Sequence, residues 1–279
     1  MTTLSAVDLG KDFRLHHGLQ RTTVHAVRNV SFELLPGRTV ALVGQSGSGK
    51  STVARMLAQL EKPTSGRILL DGEPISRRRA GARAYRRTVQ MVFQDPFASL
   101  NPFHSVGHHL RRPLLLHGKA SGTEDTRAKV IELLERVQLT PGADFVERRP
   151  HELSGGQRQR VAIARALAPS PSILIADEPV SMLDVSVRLG VLELLARLQR
   201  EEQLAVLYIT HDLATARHFS DEIMVMFDGE VVEAGLPDDV IFRPQAAFTR
   251  SLAAAAPDPA RHPRFVEAAT RYANSKERQ

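Results

Sequence analysis

Short apolar runs alternate along the chain with segments whose apolar residues have helical spacing. The run Thr39–Val43 is apolar and β-branched, which is typical of a buried strand. The segment Thr52–Ala58 that follows it predicts a helix. The other runs that predict strands are residues 66–72, 89–93, 173–176 and 204–209. Strands that alternate with helices predict a mainly parallel sheet.

The rest of the chain adds elements around this core. The further predictions are short strands in residues 1–35 joined by a polar loop at His16–Thr23, a turn at Pro36-Gly37, helices at Ala128–Val137 and Val185–Arg200, and a hairpin that turns at Asp228-Gly229. Residues from about 96 to 168 are helical and charged, which predicts an inserted helical subdomain. We expect one domain over residues 1–256 and a short, loosely packed C-terminal tail over residues 257–279.

The composition limits the class of protein. The chain has 279 residues, of which 42% are hydrophobic, enough for one large α/β core with an appended subdomain. No stretch approaches the roughly 18 apolar residues needed to cross a bilayer, and Asp8, Lys11 and Asp12 interrupt the region where a signal peptide would lie. The absence of cysteine excludes disulfides and cysteine-ligated clusters or zinc. We therefore expect a cytoplasmic protein.

The net charge of +6 is accompanied by clusters of arginine. These clusters are Arg77-Arg78-Arg79, Arg83, Arg86-Arg87 and Arg111-Arg112. Such clusters are found where a protein binds nucleic acid or anionic lipid, and also on solvated helix faces. We favour the solvated face and expect no nucleic acid partner, because no aromatic residues are interleaved for base stacking.

A glycine-rich segment between the first buried strand and its helix reads G-x-x-x-x-G-K-S, the phosphate-binding loop of nucleoside triphosphatases. Its backbone N–H groups and the helix N-terminus are suited to holding an anion. Lys50 is expected to reach the β- and γ-phosphates, and the Ser51 hydroxyl to ligate Mg²⁺. The nucleotide-binding residues expected in this segment are Gly44, Gln45, Ser46, Gly47, Ser48, Gly49, Lys50, Ser51 and Thr52.

Two carboxylates end the apolar strand at residues 173–176. Because the carboxyl ends of parallel strands face the ligand crevice, we expect Asp177 to face Mg²⁺ and Glu178 to face the γ-phosphate. A carboxylate in that place polarises a water for in-line attack. The pair alone is a weak signal, and it gains weight from the phosphate loop in the same chain.

A second anion site is predicted where a long helix begins after Leu153. Ser154 is a candidate N-cap, Gly155 and Gly156 leave backbone N–H groups accessible, and Gln157 opens the helix. A chain with one phosphate loop has no obvious use for this site, but a dimer does, because the site can close on the partner's nucleotide. The alternative is an ordinary capped helix.

Leu153–Gln157 resembles, letter for letter, the signature motif of the ATP-binding cassette (ABC) ATPases, the nucleotide-binding subunits of ABC transporters. The resemblance covers residues 4–250. It implies an α/β fold with a P-loop NTPase core and a mainly parallel sheet, an N-terminal antiparallel β subdomain and an inserted α-helical subdomain. It also implies ATP and Mg²⁺ as cofactors.

The finer resemblance is to the oligopeptide/dipeptide permease branch, which also handles nickel chelates. It rests on Val92–Pro102, on Arg149–Glu152 before the signature and on Pro179–Ser186 after the carboxylates. The sequence departs from that branch at two positions: it has Phe97 and Arg149 where members of the branch commonly have tyrosine. Longer members carry a C-terminal extension, some with cysteines that hold an iron–sulfur cluster, and the lack of cysteine excludes such a cluster here.

Further roles are implied by the resemblance, position by position. Phe13 is similar to the aromatic residue that stacks on adenine. Gln94 is similar to the glutamine that touches Mg²⁺ or the attacking water and moves with the membrane subunits. Asp184 is similar to the aspartate of the loop that crosses the dimer interface, and His211 to the switch histidine that contacts the γ-phosphate.

The segment that begins at Gln94 and runs to Pro102 is rich in turn residues. We expect it to expose an apolar cluster, which serves either as ordinary subdomain packing or as a socket for a helix of a membrane subunit, and we favour the socket. The residues expected to be exposed are Phe93, Phe97, Leu100 and Phe103.

The implied function is that of an importer ATPase at the cytoplasmic face of the cell membrane. The expected partners are a second ABC ATPase subunit, either a second copy or a paralogue, two membrane permease subunits and, indirectly, a solute-binding protein. An alternative is a soluble ABC ATPase that serves an enzyme complex such as phosphonate breakdown. DNA repair or chromosome maintenance is disfavoured, because the chain has neither long coiled coils nor a zinc module. The sequence leaves the solute open.

Overall fold

The computed structural model describes residues 2–17, 20–76 and 79–255. The strands are β1 (Leu4–His17), β2 (Gln20–Leu34), β3 (Thr39–Val43), β4 (Ser65–Leu70), β5 (Glu73–Pro74), β6 (Val89–Val92), β7 (Ile173–Asp177), β8 (Ala205–Thr210), β9 (Glu222–Phe227) and β10 (Glu230–Gly235). The helices are α1 (Lys50–Leu57), α2 (Arg79–Thr88), α3 (Pro96–Ser99), α4 (Val106–Leu116), α5 (Thr123–Arg136), α6 (Gly155–Leu167), α7 (Val185–Glu202), α8 (Leu213–Phe219), α9 (Pro237–Phe242) and α10 (Ala247–Ala255).

The chain divides into two compact units. The first consists of residues 1–74 and 205–279, and the second of residues 75–204. The helical subdomain predicted at about 96–168 falls within the second unit. The predicted tail at 257–279 and Arg77-Arg78 of the arginine clusters lie outside the described residues. No helix in the described part of the chain is long and apolar enough to span a bilayer.

The first unit holds two sheets. One is antiparallel, with the strand order β2-β1-β4-β5. In the other, β3 lies between β8 and β9 and is parallel to both, while β10 pairs with β9 in the antiparallel sense. Every residue of β3 is buried, as expected for a central parallel strand that is covered on both faces. The β9–β10 hairpin turns at Asp228 and Gly229, both with positive φ (46° and 86°), which suits a tight hairpin turn.

The N-terminal strands are longer than the sequence pattern indicates. The prediction of a polar loop at His16–Thr23 is wrong, because β1 extends to His17, β2 begins at Gln20 and the two strands pair up to these residues. The β-branched run Thr22–Val24 explains the difference, since such residues favour an extended backbone even where they are polar.

The second unit combines a parallel strand pair with helices. β6 and β7 pair in register from Val89 opposite Ile173 to Val92 opposite Ala176. Helix α5 begins earlier than the apolar pattern indicates, at Thr123, where Glu124 and Asp125 suit the positive end of the helix dipole. The helices share a core of fully buried aliphatic side chains, which includes Leu110, Leu134, Val161, Ile163, Leu167, Val191 and Leu194. The ends of β6 and β7 carry the polar residues of the candidate site.

Candidate functional site

The glycine-rich loop of the first unit joins the buried strand β3 to helix α1. Gly49 has a φ of 104°, and a Cβ on it would lie 2.2 Å from the carbonyl oxygen of Ala26. Only glycine fits this backbone approach, because an added Cβ would clash with main chain that has no room to move. The loop itself is solvent-facing at Gln45, Ser46 and Gly47. The backbone is therefore held tightly at its base and exposed at its tip.

The side chain of Lys50 folds back onto the loop that precedes it. Its side chain is 5% exposed, and Nζ donates hydrogen bonds to the carbonyl oxygens of Gly44 (2.7 Å) and Gln45 (2.8 Å). The Ser48 hydroxyl is buried and has no hydrogen-bond partner among the described residues. A buried hydroxyl without a partner is unfavourable, and a bound anion would supply an acceptor for it. Ser51 and Thr52 follow in the first turn of α1, half-buried.

Two further predicted residues lie in the first unit. Phe13 lies on β1 opposite Val24, half-buried, and Lys11 Nζ lies 4.8 Å from the centre of its ring. His211 directly follows β8 and is exposed. The next residue, Asp212, caps α8 by accepting hydrogen bonds from two backbone amides, which fixes the chain direction just after the histidine.

The second unit carries the two carboxylates at the end of β7. Asp177 is buried, and Glu178 is half-buried with a φ of 44°, a left-handed conformation that is uncommon for a residue with a side chain. Its backbone carbonyl accepts hydrogen bonds from the Ser181 amide (3.2 Å) and hydroxyl (3.0 Å). Strained conformations of this kind persist only where neighbours fix them, and they are concentrated at functional sites.

Gln94 directly contacts the second of these carboxylates. Its Nε2 donates a hydrogen bond of 3.0 Å to Glu178 Oε2. The two residues are 84 positions apart in sequence, and the parallel pairing of β6 with β7 brings the ends of both strands together. The structure therefore brings Gln94, Asp177 and Glu178 to one edge of the second unit.

Helix α6 begins as the sequence predicts. Ser154 is its N-cap: the Ser154 hydroxyl accepts from the Gln157 amide (3.3 Å), and the Gln157 side chain accepts from the Ser154 amide (3.0 Å), which forms a capping box. A Cβ on Gly156 would lie 2.4 Å from Val187 Cγ1 in α7. This glycine therefore also lets two helices pack closely, a role that the sequence alone did not indicate.

Asp184 is the N-cap residue of the neighbouring helix α7. It is exposed and makes no side-chain capping hydrogen bond to the helix. A carboxylate at this place that does not cap its own helix stays available to groups outside the helix.

The apolar cluster after Gln94 is only partly as predicted. Phe93, Phe97 and Phe103 are exposed by 38%, 50% and 81%, respectively. The prediction that Leu100 is exposed is wrong, since it is 1% exposed. Leu100 follows the short helix α3 and lies four residues after the buried Pro96, so a single turn places both on the inner face. The exposed surface is formed by the three phenylalanines.

Two contacts of this segment were missed at the level of sequence. The guanidinium of Arg158 lies over the ring of Phe97, with its central carbon 4.3 Å from the ring centre. Arg165 donates to the carbonyl oxygen of Ser99. Both arginines belong to α6 and look like ordinary solvated residues of an amphipathic helix, so no local pattern reveals these contacts.

Comparisons with known proteins show the family to which this chain belongs. Residues 27–181 match the family model described as ABC transporter. The chain is 50% identical over 262 residues to the glutathione import ATP-binding protein GsiA of Salmonella choleraesuis, a match that covers 91% of this chain and 41% of that protein. It is 44% identical over 257 residues to the dipeptide transport ATP-binding protein DppF of Haemophilus influenzae, with coverage of 91% and 78%. The chain thus spans about two fifths of the length of the GsiA relatives and most of DppF.

Solved structures give the same result for the fold. The ATP-binding cassette MJ0796, in a dimeric post-hydrolysis state bound to ADP and Pi, is 32% identical, with a TM-score of 0.73 and coverage of 84% of this chain and 98% of that one. The cbiO1 protein from Clostridium perfringens, part of the ABC transporter complex cbiONQ, is 31% identical, with a TM-score of 0.72 and coverage of 85% and 89%.

These findings confirm the predicted fold class and the predicted resemblance to the peptide permease branch. The glycine-rich loop leads into a helix that begins at Lys50, and Ser154 caps the helix that begins at Gly155, as the sequence predicts. The chain belongs to the ABC transporter family, and its fold is that of an ATP-binding cassette.

Proposed function

We propose that this chain is the ATP-binding and ATP-hydrolysing subunit of an ABC importer for peptides or related small solutes. The observation that carries the proposal is the presence, in one chain, of a phosphate loop with an unpartnered buried hydroxyl and of a glycine-rich capping box at the start of α6. The names of the relatives, a glutathione import and a dipeptide transport ATP-binding protein, support a peptide-like solute.

ATP is bound by residues of the first unit. The loop amides of Gly44–Gly49, with the Ser48 hydroxyl, surround the phosphates, and the dipole of α1 adds positive potential. Lys50 exchanges its two loop carbonyls for phosphate oxygens, a stronger charge-assisted partner. Phe13 stacks on adenine, and Thr52 contacts the phosphates from the first turn of α1.

The residues that act on the reaction follow strand ends. Glu178 orients the attacking water and accepts its proton, and Gln94, which already donates to Glu178, holds the carboxylate in place. His211 donates to the γ-phosphate.

Ser51, Gln94 and Asp177 offer hydroxyl, amide and carboxylate oxygens, the ligand type that Mg²⁺ prefers, so these residues fit the metal. Bound Mg²⁺ supplies neutralisation of the phosphate charge.

The nucleotide-binding site is completed by a second ABC ATPase subunit, which is either another copy or a paralogue. Ser154, Gly155, Gly156 and Gln157 present a helix N-terminus to the partner's γ-phosphate, and Asp184 crosses the interface. The dimeric cassette structure similar to this chain supports such a pairing. Closure of the dimer on ATP and reopening after hydrolysis drive transport.

Two membrane permease subunits are the further partners, at the cytoplasmic face of the membrane, with a solute-binding protein acting through them. The surface of Phe93, Phe97 and Phe103 provides apolar anchors for a helix of such a subunit. Membership of the cbiO1 structure in a transporter complex supports this assembly. The alternative, a soluble ATPase of an enzyme complex, is not favoured, because the relatives are named for import and transport.

The test is co-expression of the chain with genes for candidate permease subunits. We expect the chain to move to the membrane fraction and to hydrolyse ATP faster than the isolated chain does. A chain that hydrolyses ATP but associates with a cytoplasmic enzyme complex, and not with any permease, would support the alternative. A chain without ATP turnover in either setting would exclude both.

A further inference from the structure

The short helix α3 is fastened to helix α6 by two arginines. Arg158 contacts Phe97, and Arg165 contacts Ser99. The arginines are seven residues apart, almost two turns of helix, so they project from the same face of α6. Both ends of α3 are thus joined to one side of the helix that begins with the signature residues.

Among the described residues, the guanidinium of Arg158 has few partners other than the ring of Phe97. Its Nη2 donates to the carbonyl oxygen of His151, at 3.5 Å, and its Nε is buried without a hydrogen-bond partner. Within the described part of the chain, no carboxylate lies within ion-pair distance of it. The group is therefore positioned mainly by the aromatic ring, an arrangement in which a cation is attracted to the ring face.

The contact of Arg165 lies deeper. Its Nη1 donates to the Ser99 carbonyl, and burial lowers the pKa of its guanidinium, which nevertheless remains charged. This second contact joins the end of α3 to α6 at a point separate from Phe97.

Helix α3 is held by local hydrogen bonds and by buried residues. The Asp95 side chain accepts hydrogen bonds from the amides of Phe97 (2.7 Å) and Ala98 (3.0 Å). Pro96 and Leu100 are buried beneath it. The half-exposed Phe97 ring thus lies on a helix that is joined by buried residues to the core of the second unit and by the two arginines to α6.

We propose that Arg158 is a positioning residue that couples the phenylalanine surface to the signature end of α6. Arg158 lies one turn after Ser154, so a displacement at Phe97 reaches the capping box directly. Coupling of this kind is reciprocal: nucleotide-driven closure at Ser154 displaces Phe97 by the same contact. The inference rests on the proposed function, in which the first surface docks a membrane subunit and the second closes on ATP.

The first test uses the isolated chain without any partner. Amide hydrogen exchange is measured at Gln157, whose amide is bound by Ser154, and at Ala98, whose amide is bound by Asp95. We expect Phe97→Leu to speed exchange at Gln157, and Arg158→Gln to speed exchange at Ala98, each about two- to five-fold, the range for loss of an exposed cation–π contact.

Matched controls separate coupling from general destabilisation. Phe97→Tyr keeps the ring and should behave like the parent chain. Arg127→Gln removes an exposed arginine of the same unit, paired with Glu147 at 3.5 Å, and should change neither amide. Unchanged exchange at Gln157 in Phe97→Leu, or an equal effect of Arg127→Gln, overturns the proposal.

The second test follows the opposite direction. Because the chain has no cysteine, Phe103→Cys provides a single site for an environment-sensitive dye on the phenylalanine surface, at a position that is 81% exposed. In a Glu178→Gln background, ATP should change the dye emission, and Arg158→Gln should reduce that change at least three-fold, while sedimentation still shows a dimer. An unreduced change in the dimeric Arg158→Gln protein overturns the proposal.

The two tests distinguish this inference from the proposed function. If ATP produces no dimer in the Glu178→Gln chain, the proposed dimer mechanism fails. The exchange measurements still decide whether Arg158 couples α3 to the capping box. If the dimer forms but exchange is uncoupled, only the coupling role of Arg158 is lost.

Discussion

Replacement of Glu178 by glutamine isolates the chemistry of one carboxylate. Gln94 Nε2 donates to Glu178 Oε2 at 3.0 Å, and a glutamine at position 178 retains an oxygen to accept this bond. The left-handed backbone of residue 178 disfavours glutamine as much as glutamate. The substitution therefore preserves the size of the side chain and its contact, and removes only the charge and the ability to accept a proton.

The expected magnitudes differ enough to be separated. Loss of a general base lowers turnover by about 10²–10⁴-fold, which corresponds to roughly 3–5 kcal/mol in the activation free energy. Conversion of a charge-assisted hydrogen bond to a neutral one lowers the free energy of unfolding by only about 1 kcal/mol, and by less here because Gln94 is exposed. We expect turnover to collapse while ATP binding and stability stay close to those of the parent chain.

The assay is phosphate release under saturating ATP, together with nucleotide affinity, urea unfolding and sedimentation with ATP. Glu201→Gln is the matched control, since it removes an exposed carboxylate of the same unit that pairs with Arg197. In Glu178→Gln, unhydrolysed ATP should hold the dimer closed. Turnover within ten-fold of the parent chain would refute the assignment of Glu178 as the base.

A glycine at the same position separates the catalytic from the structural role. The left-handed conformation costs a residue with a side chain about 1–2 kcal/mol, while the added freedom of glycine in the unfolded chain costs about 0.4–1 kcal/mol. Glu178→Gly should thus unfold at the same or higher urea concentration than the parent and yet lose turnover as Glu178→Gln does. A large loss of stability would mean that the side chain mainly supports the fold.

Three further substitutions test the other parts of the proposal. Lys50→Ala should weaken ATP binding roughly 10- to 150-fold, since charge-assisted hydrogen bonds contribute about 1.5–3 kcal/mol; equal affinity in a titration would count against the phosphate-loop role. Ser154→Arg should abolish hydrolysis but leave ATP affinity of the dilute monomer within about two-fold, because the bulky cation blocks closure on the partner; a parallel loss of both would place this residue in its own chain's site. Phe103→Asp should keep the fold and lose membrane recruitment, whereas Leu100→Asp, which buries a charge, should unfold the chain. Circular dichroism measures the fold of each variant, and membrane fractionation measures its recruitment. Recruitment of Phe103→Asp as efficient as that of the parent would place the docking surface elsewhere.

Local patterns in the sequence predict the parts of the structure that depend on neighbouring residues. The uninterrupted, mostly apolar run of β3 predicts a buried strand, and the β9–β10 hairpin turns at Asp228-Gly229 because these residues tolerate positive φ. The capping box at Ser154 and Gln157 is also local, since its two hydrogen bonds join residues three apart.

Contacts between distant residues account for what the sequence did not predict. The burial of Leu100 depends on how α3 sits against the second unit's core, and the need for glycine at position 156 depends on Val187 in another helix. The ring of Phe97 contacts Arg158, which is 61 positions later in the sequence. No periodicity encodes such pairs, because they depend on the three-dimensional packing of separate elements.

Buried polar atoms without partners identify a site only when other features converge on them. The side-chain amide of Gln159 is fully buried and has no hydrogen-bond partner among the described residues, yet it lies within the helix α6 and not in a glycine-rich loop. The Ser48 hydroxyl differs, because it lies in a loop whose tip is exposed, two residues before Lys50, the first residue of α1. The left-handed backbone of Glu178 likewise indicates a functional site because its carboxylate accepts a hydrogen bond from Gln94. Unfavourable local features are expected at functional sites. The unpartnered hydroxyl of Ser48 and the left-handed backbone of Glu178 are informative because of the chemistry of the groups around them.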